Sequence, residues 1–135
     1  MTALLEQVKS RFPQSIATET PAPEKIDASK EVVLITNADL RESANRVCWQ
    51  VQNEFEQRFA QVLEERFGRR VRRGHPMKEE AGHGFIACQR EGSDVLAGID
   101  PDAPLVVLMC AWQYSHHIAP SLVHHRGPIL LLENL

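Results

Sequence analysis

Two stretches of this chain carry side chains that could do chemistry. The first is "CAWQYSHH" (110–117), which sets a thiol, an indole, a phenol and two imidazoles directly behind the apolar run "PLVVLM". Aromatic rings just past a strand's carboxyl end can stack on the apolar face of a sugar or a base. Trp112 and Tyr114 are the candidates for that contact, with packing between domains as the competing use, and His116 adds a polar neighbour. The second stretch is "NADLRESANR" (37–46), where Arg41 stands beside Asp39 and Glu42. A guanidinium holds hydroxyls or a carboxylate through its forked donors, although a solvated charge is the simpler use. Asn37 and Asn134 each stand at a strand end, where an asparagine either donates to a polar ligand or serves a turn.

Other chemistries fail on residue type or spacing. No G-x-G-x-x-G follows the first apolar run, which argues against a dinucleotide, and no Walker or G-x-S-x-G sequence is present. Cys110 precedes a loop, as a phosphatase cysteine does, but His116 stands where that chemistry requires an arginine. "HHIAPSLVHH" spaces His117 and His124 two helical turns apart without a cysteine or carboxylate to complete a cage. We expect solvent-facing histidines there and no metal site. Cys48, Cys88 and Cys110 form no CxxC pair and point to a reduced, cytoplasmic protein.

The elements that must position these residues follow from periodicity. "EVVLITN" (31–37) is a continuous β-branched run, the pattern of a strand buried on both faces of a parallel sheet. A helix is predicted from Ser43 to Phe67, with Ala44, Val47, Val51, Phe55, Phe59, Val62 and Leu63 as its apolar stripe and Gly68 as its stop. Trp49 lies off that stripe, which points to a subunit contact. "RRVRRG" (69–74) gives a weak second strand, more in keeping with a solvated outer face than with phosphate binding. Phe85, Ile86, Val95, Leu96 and Ile99 predict two helical segments around Gly92. "LVVLMC" (105–110) is the third strand, a helix runs from about His117 to Gly127, and "PILLLEN" (128–134) is the fourth strand.

This order predicts an α/β fold with a doubly wound, mostly parallel sheet and helices on both faces. Ligands of such sheets bind beyond the carboxyl ends of the strands, where both opening stretches would lie. Residues 1–30 read as a short amphipathic helix (Leu4, Leu5, Val8, Phe12) and an extended linker, and residues 31–135 as the α/β domain. The final apolar strand has nothing after it to cover it, so we expect the N-terminal portion of a larger protein. A net charge of −3 argues against a nucleic-acid partner, and the apolar runs are too short for a membrane span.

The segments "LITNADLRESANRVCW" (34–49), "QREGSDVLAGIDPDAPLVVLMCAWQYSH" (89–116) and "GPILLLEN" (127–134) resemble the N-terminal domain of the L-fucose isomerase-like family, which is allied to L-arabinose isomerases. The resemblance implies a flavodoxin- or Rossmann-like domain of a metal-dependent aldose–ketose isomerase. There a divalent metal, usually manganese, is held by later domains and assists proton transfer through an ene-diol. This chain would then hold no metal and catalyse nothing alone. Its domain would lend sugar contacts to a neighbouring subunit of a homo-oligomer, a trimer or hexamer. By position those contacts would be Arg41, with Arg46 as a competitor, and Trp112.

Overall fold

The computed structural model describes residues 22–110 and 115–133. Four strands form the sheet: β1 (Glu31–Asn37), β2 (Arg70–Arg73), β3 (Leu105–Met109) and β4 (Ile129–Glu133). Between them lie α1 (Glu42–Phe67), α2 (Gln89–Ala97), a 3-10 turn (Ser115–His117) and the short α3 (Ala119–Leu122). All pairings are parallel, in the order β2-β1-β3-β4, which makes the fold α/β and doubly wound as expected. Parallel strands joined by helical crossovers put helices on both faces, and the apolar contacts divide accordingly. On one face Val33, Ile35, Leu105, Val107 and Met109 pack with Ile118 and with Val95, Leu96 and Leu122 of α2 and α3. On the other, Val32, Leu34, Val106 and Leu108 meet Phe55 and Phe59 of α1. Each such large side chain, when fully buried, contributes about 1.5–3 kcal/mol.

Only part of the predicted stripe of α1 faces the sheet: Phe55, Phe59 and Leu63 turn inward, but its first half does not. Val47 is 81% exposed and Val51 63%, while Asn45, Gln52 and Glu56 are buried. The inward positions run Asn45, Trp49, Gln52, Glu56, Phe59, Leu63, a four-three alternation that keeps one side of a helix against its neighbour. Polar groups occupy its first half because the sheet presents polar groups there. Glu56 accepts from Thr36 Oγ1 at 2.5 Å and from Arg73 Nε at 2.9 Å. Trp49, off that stripe, meets groups of its own chain. Its ring meets Phe85 edge-on at 5.1 Å and lies 5.3 Å from the Arg73 guanidinium. Gly68 ends the helix as predicted, at φ 63°, with its N–H on the Glu64 carbonyl.

Two further expectations are corrected. Phe85 and Ile86 are not helical. After β2 the chain leaves the sheet, and Ile86 returns to β1, donating to the Thr36 carbonyl at 2.8 Å and accepting from the Ala38 N–H at 3.1 Å. α2 is a single helix with Gly92 inside it, because a Cβ there would stand 2.1 Å from the His117 carbonyl oxygen. The predicted helix from His117 to Gly127 shortens to α3, since the Arg126 and Gly127 N–H groups both turn to the Pro101 carbonyl. Among the described residues, no helix is long and apolar enough to cross a membrane.

Candidate functional site

The chain moves from β1 outward to β2 and then back across to β3, so the strand order reverses between β1 and β3. Loops leaving the carboxyl ends of those two strands must diverge, and the gap is the crevice where sheets of this kind take ligands. Asn37 ends β1 fully buried, its carbonyl accepting the Cys110 N–H at 3.0 Å, which locks the two strand ends together.

Asn45, from the first turn of α1, shapes the loop after β1. Its Oδ1 accepts the Asp39 N–H at 3.0 Å and its Nδ2 donates to the Asp39 carbonyl at 2.8 Å. The Asp39 carboxylate is thereby held where Arg41 can reach it. It accepts the Arg41 backbone N–H at 2.9 Å, Nε at 3.1 Å and Nη2 at 2.5 Å. Arg41 itself remains 73% exposed beside an almost buried partner. The pairing leaves the exposed guanidinium with its charge largely balanced.

The opposite rim follows β3. The 3-10 turn sets an exposed His116 and a buried His117 edge to face, their ring centres 4.5 Å apart. Burial holds the His117 imidazole below its ordinary pKa and His116 adds to that, while the Ile86 carbonyl and the Asp39 and Glu91 carboxylates pull the other way. Burial also pushes the Cys110 thiol up to about 11, and its hydrogen-bonding neighbour Cys48 of α1 reinforces this. Such a thiol is protonated at neutral pH and is a poor nucleophile.

A second polar layer lies beneath α1. Arg73 donates to Glu56, to the Gly84 carbonyl at 2.5 Å and to the His75 carbonyl at 2.8 Å. His83 Nδ1 accepts the Phe85 N–H at 3.2 Å, so Nε2 carries the proton shared with Glu42 at 2.5 Å and keeps that carboxyl below its usual range. These contacts pin the start of α1 and the returning segment on either side of β1. The basic run is absorbed in the same way: Arg70 pairs with Glu31, Arg72 with Glu24 at 2.9 Å, and Arg73 with Glu56.

Of the residues singled out in sequence, Arg41 and His116 stand at opposite rims of this crevice. Trp112, Tyr114 and Asn134 lie outside the described residues. His117 is buried, not solvent-facing as expected. Sequence reasoning missed the Asn45 clamp, the neighbouring Cys48 and Cys110, and the Glu56–Arg73–His75 layer. An asparagine inside a predicted helix was the one visible hint. The crevice donors do not fit a divalent cation. Asp39 spends its carboxylate on Arg41, and among the described residues no three His, Cys, Asp or Glu side chains converge. Compared with known proteins, the chain matches no family model, no curated protein and no solved structure.

Proposed function

We propose that the crevice between β1 and β3 binds a sugar, and that the chain acts as the N-terminal domain of a metal-dependent aldose–ketose isomerase of the L-fucose and L-arabinose type. In this reading it lends sugar contacts at a subunit boundary and does not catalyse alone. What supports the reading is that Asn37 and the Asp39–Arg41 pair follow β1 and the turn carrying His116 follows β3, the two loops that leave the sheet at its switch point, and that Trp112 and Tyr114 lie between β3 and that turn in sequence. Amide, guanidinium and imidazole groups match hydroxyls, and the aromatic rings match the apolar face of a pyranose. Manganese would be held by other domains of the assembled enzyme, where it would polarise the sugar's carbonyl and hydroxyl oxygens.

One observation favours a second reading, a sugar-binding or assembly module without catalysis. The crevice carboxylates are committed, Asp39 to Arg41 and Glu42 to His83. A general base must be within reach of its proton and able to accept it.

Tryptophan fluorescence tests both readings. L-fucose, L-arabinose and their alditols should change the emission of the wild type and of Trp49→Phe, and leave that of Trp112→Phe unchanged. Calorimetric binding with an unchanged spectrum would remove Trp112 from the site. No heat at saturating sugar would overturn sugar binding itself.

A further inference from the structure

Two of the three cysteines meet on one face of the sheet. Strand alternation puts Cys110, just past β3, on the side of Val106 and Leu108, which α1 covers. Its N–H bonds the Asn37 carbonyl, so it extends the ladder at the carboxyl end of the sheet. α1 starts at that same end, because it follows β1 and must run back over the sheet to reach β2 in parallel. Trp49 turns towards Arg73 of β2. Cys48 lies about 100° round the helix from Trp49. It shares its flank with Phe55, two turns on, which packs in the cluster that holds Val106 and Leu108 of β3. Helix phase and strand alternation thus bring both side chains to one spot, and the two thiols are hydrogen-bonding neighbours there. Cys48 is exposed and Cys110 half-buried. Cys88 is set apart from them, since it precedes α2, which packs on the other face.

We propose that Cys48 and Cys110 form a reversible redox pair, which hydrogen peroxide oxidises to a disulfide between the first turns of α1 and the end of β3. The exposed thiol meets the oxidant and the sheltered one resolves it. Cys48 sulfur takes one oxygen from the peroxide and becomes a sulfenic acid, and one water leaves. Cys110 sulfur then attacks Cys48 sulfur. The S–S bond forms, the S–O bond breaks, and the Cys110 proton leaves with the hydroxyl as a second water. The thiols together lose two hydrogens and two electrons, which reduce the peroxide, and a dithiol reductant reverses the change. A disulfide of this kind suits a chain whose cysteines are otherwise reduced, where such bonds are transient and sense oxidants. It also acts on the switch point. Cys48 lies one turn beyond Asn45, which clamps the loop after β1, and Cys110 ends the strand from which the chain runs on to Trp112.

Mass spectrometry of the full chain tests this, because trypsin leaves each cysteine on its own peptide, 47–58, 79–90 and 91–126. After stoichiometric peroxide and blocking of free thiols, 47–58 should be joined to 91–126, lighter by two hydrogens than the pair, with 79–90 blocked as a free thiol. Dithiothreitol should reverse the link, its yield should not depend on protein concentration, and amide exchange across 42–50 should slow about tenfold in the oxidised protein. Cys110→Ser should leave a sulfenic acid at Cys48 that dimedone traps. Sulfinic acid at Cys48 of the wild type with Cys110 still a thiol would overturn the proposal. So would a link that involves 79–90, or one that forms only at high protein concentration and so joins two copies of the chain.

Discussion

His75 shows how one buried side chain ties this fold to pH. Its Nε2 accepts the Thr36 N–H at 3.1 Å, which it can do only when that nitrogen is unprotonated. Burial first, then the Arg73 and Lys78 charges, push its pKa down to about 3. The unfolded chain, with an ordinary imidazole near 6.5, binds the proton between those limits while the folded chain does not. The contribution is therefore complete above pH 6.5 and is lost as pH falls towards 3, at up to about 1.4 kcal/mol per pH unit. Urea unfolding at about pH 7 and about pH 5 should show a larger loss for the wild type than for His75→Gln, which keeps an acceptor without a titrating ring. Equal losses would mean that other groups carry the pH dependence, His117 first among them because burial also lowers its imidazole's pKa. The same scale explains why the crevice loop was hard to anticipate. Arg41 was visible as a charge, but Asn45, which clamps both polar backbone groups of Asp39, was visible only as a helix residue.

At the level of elements, the close approach of α2 to the 3-10 turn depends on Gly92. In an isolated helix, replacing glycine by alanine stabilises by about 1 kcal/mol. Here the new methyl would meet the His117 carbonyl at 2.1 Å, in contact with backbone that has no rotamer to give. Gly92→Ala should therefore destabilise the protein, by about 1–3 kcal/mol as overpacked sites do, and should shift the His117 ring resonances. A variant as stable as the wild type, with those resonances unmoved, would show that α2 slides freely. α1 gives the complementary case. Its length and its Gly68 stop were legible because both are local, whereas its inward face was not. The stripe of Val47 and Val51 is apolar but faces solvent, because the sheet below the first half of the helix offers Thr36 and Arg73 and takes Glu56 in return.

For the molecule as a whole, the order β2-β1-β3-β4 makes β1 and β3 central and leaves β2 and β4 at the edges. Central strands are bonded on both sides and buried on both faces, so they open only with the global unfolding of the domain. Amides of Leu34, Ile35, Val106 and Val107 should exchange slowest, and those of β2 and β4 at least about tenfold faster. Uniform rates across the sheet would mean that the four strands open as one unit. Helices on both faces and two strand ends that diverge at one point make the crevice a property of this topology and not of any single loop.

The local patterns were enough to determine the four strands, α1 and the fold class. "EVVLITN" and "LVVLM" are uninterrupted β-branched and apolar runs, and a strand buried on both faces can be built from little else. The Gly68 stop of α1 followed from backbone sterics within a few residues. Only the tertiary structure decided which polar residues meet. Asp39 with Asn45, Glu56 with Thr36 and Arg73, and Phe85–Ile86 against β1 join parts of the chain that no short-range pattern relates. Each of those pairings exists because a buried polar or backbone group must be satisfied where the fold has placed it, and that requirement is set by the sheet, not by the neighbouring sequence.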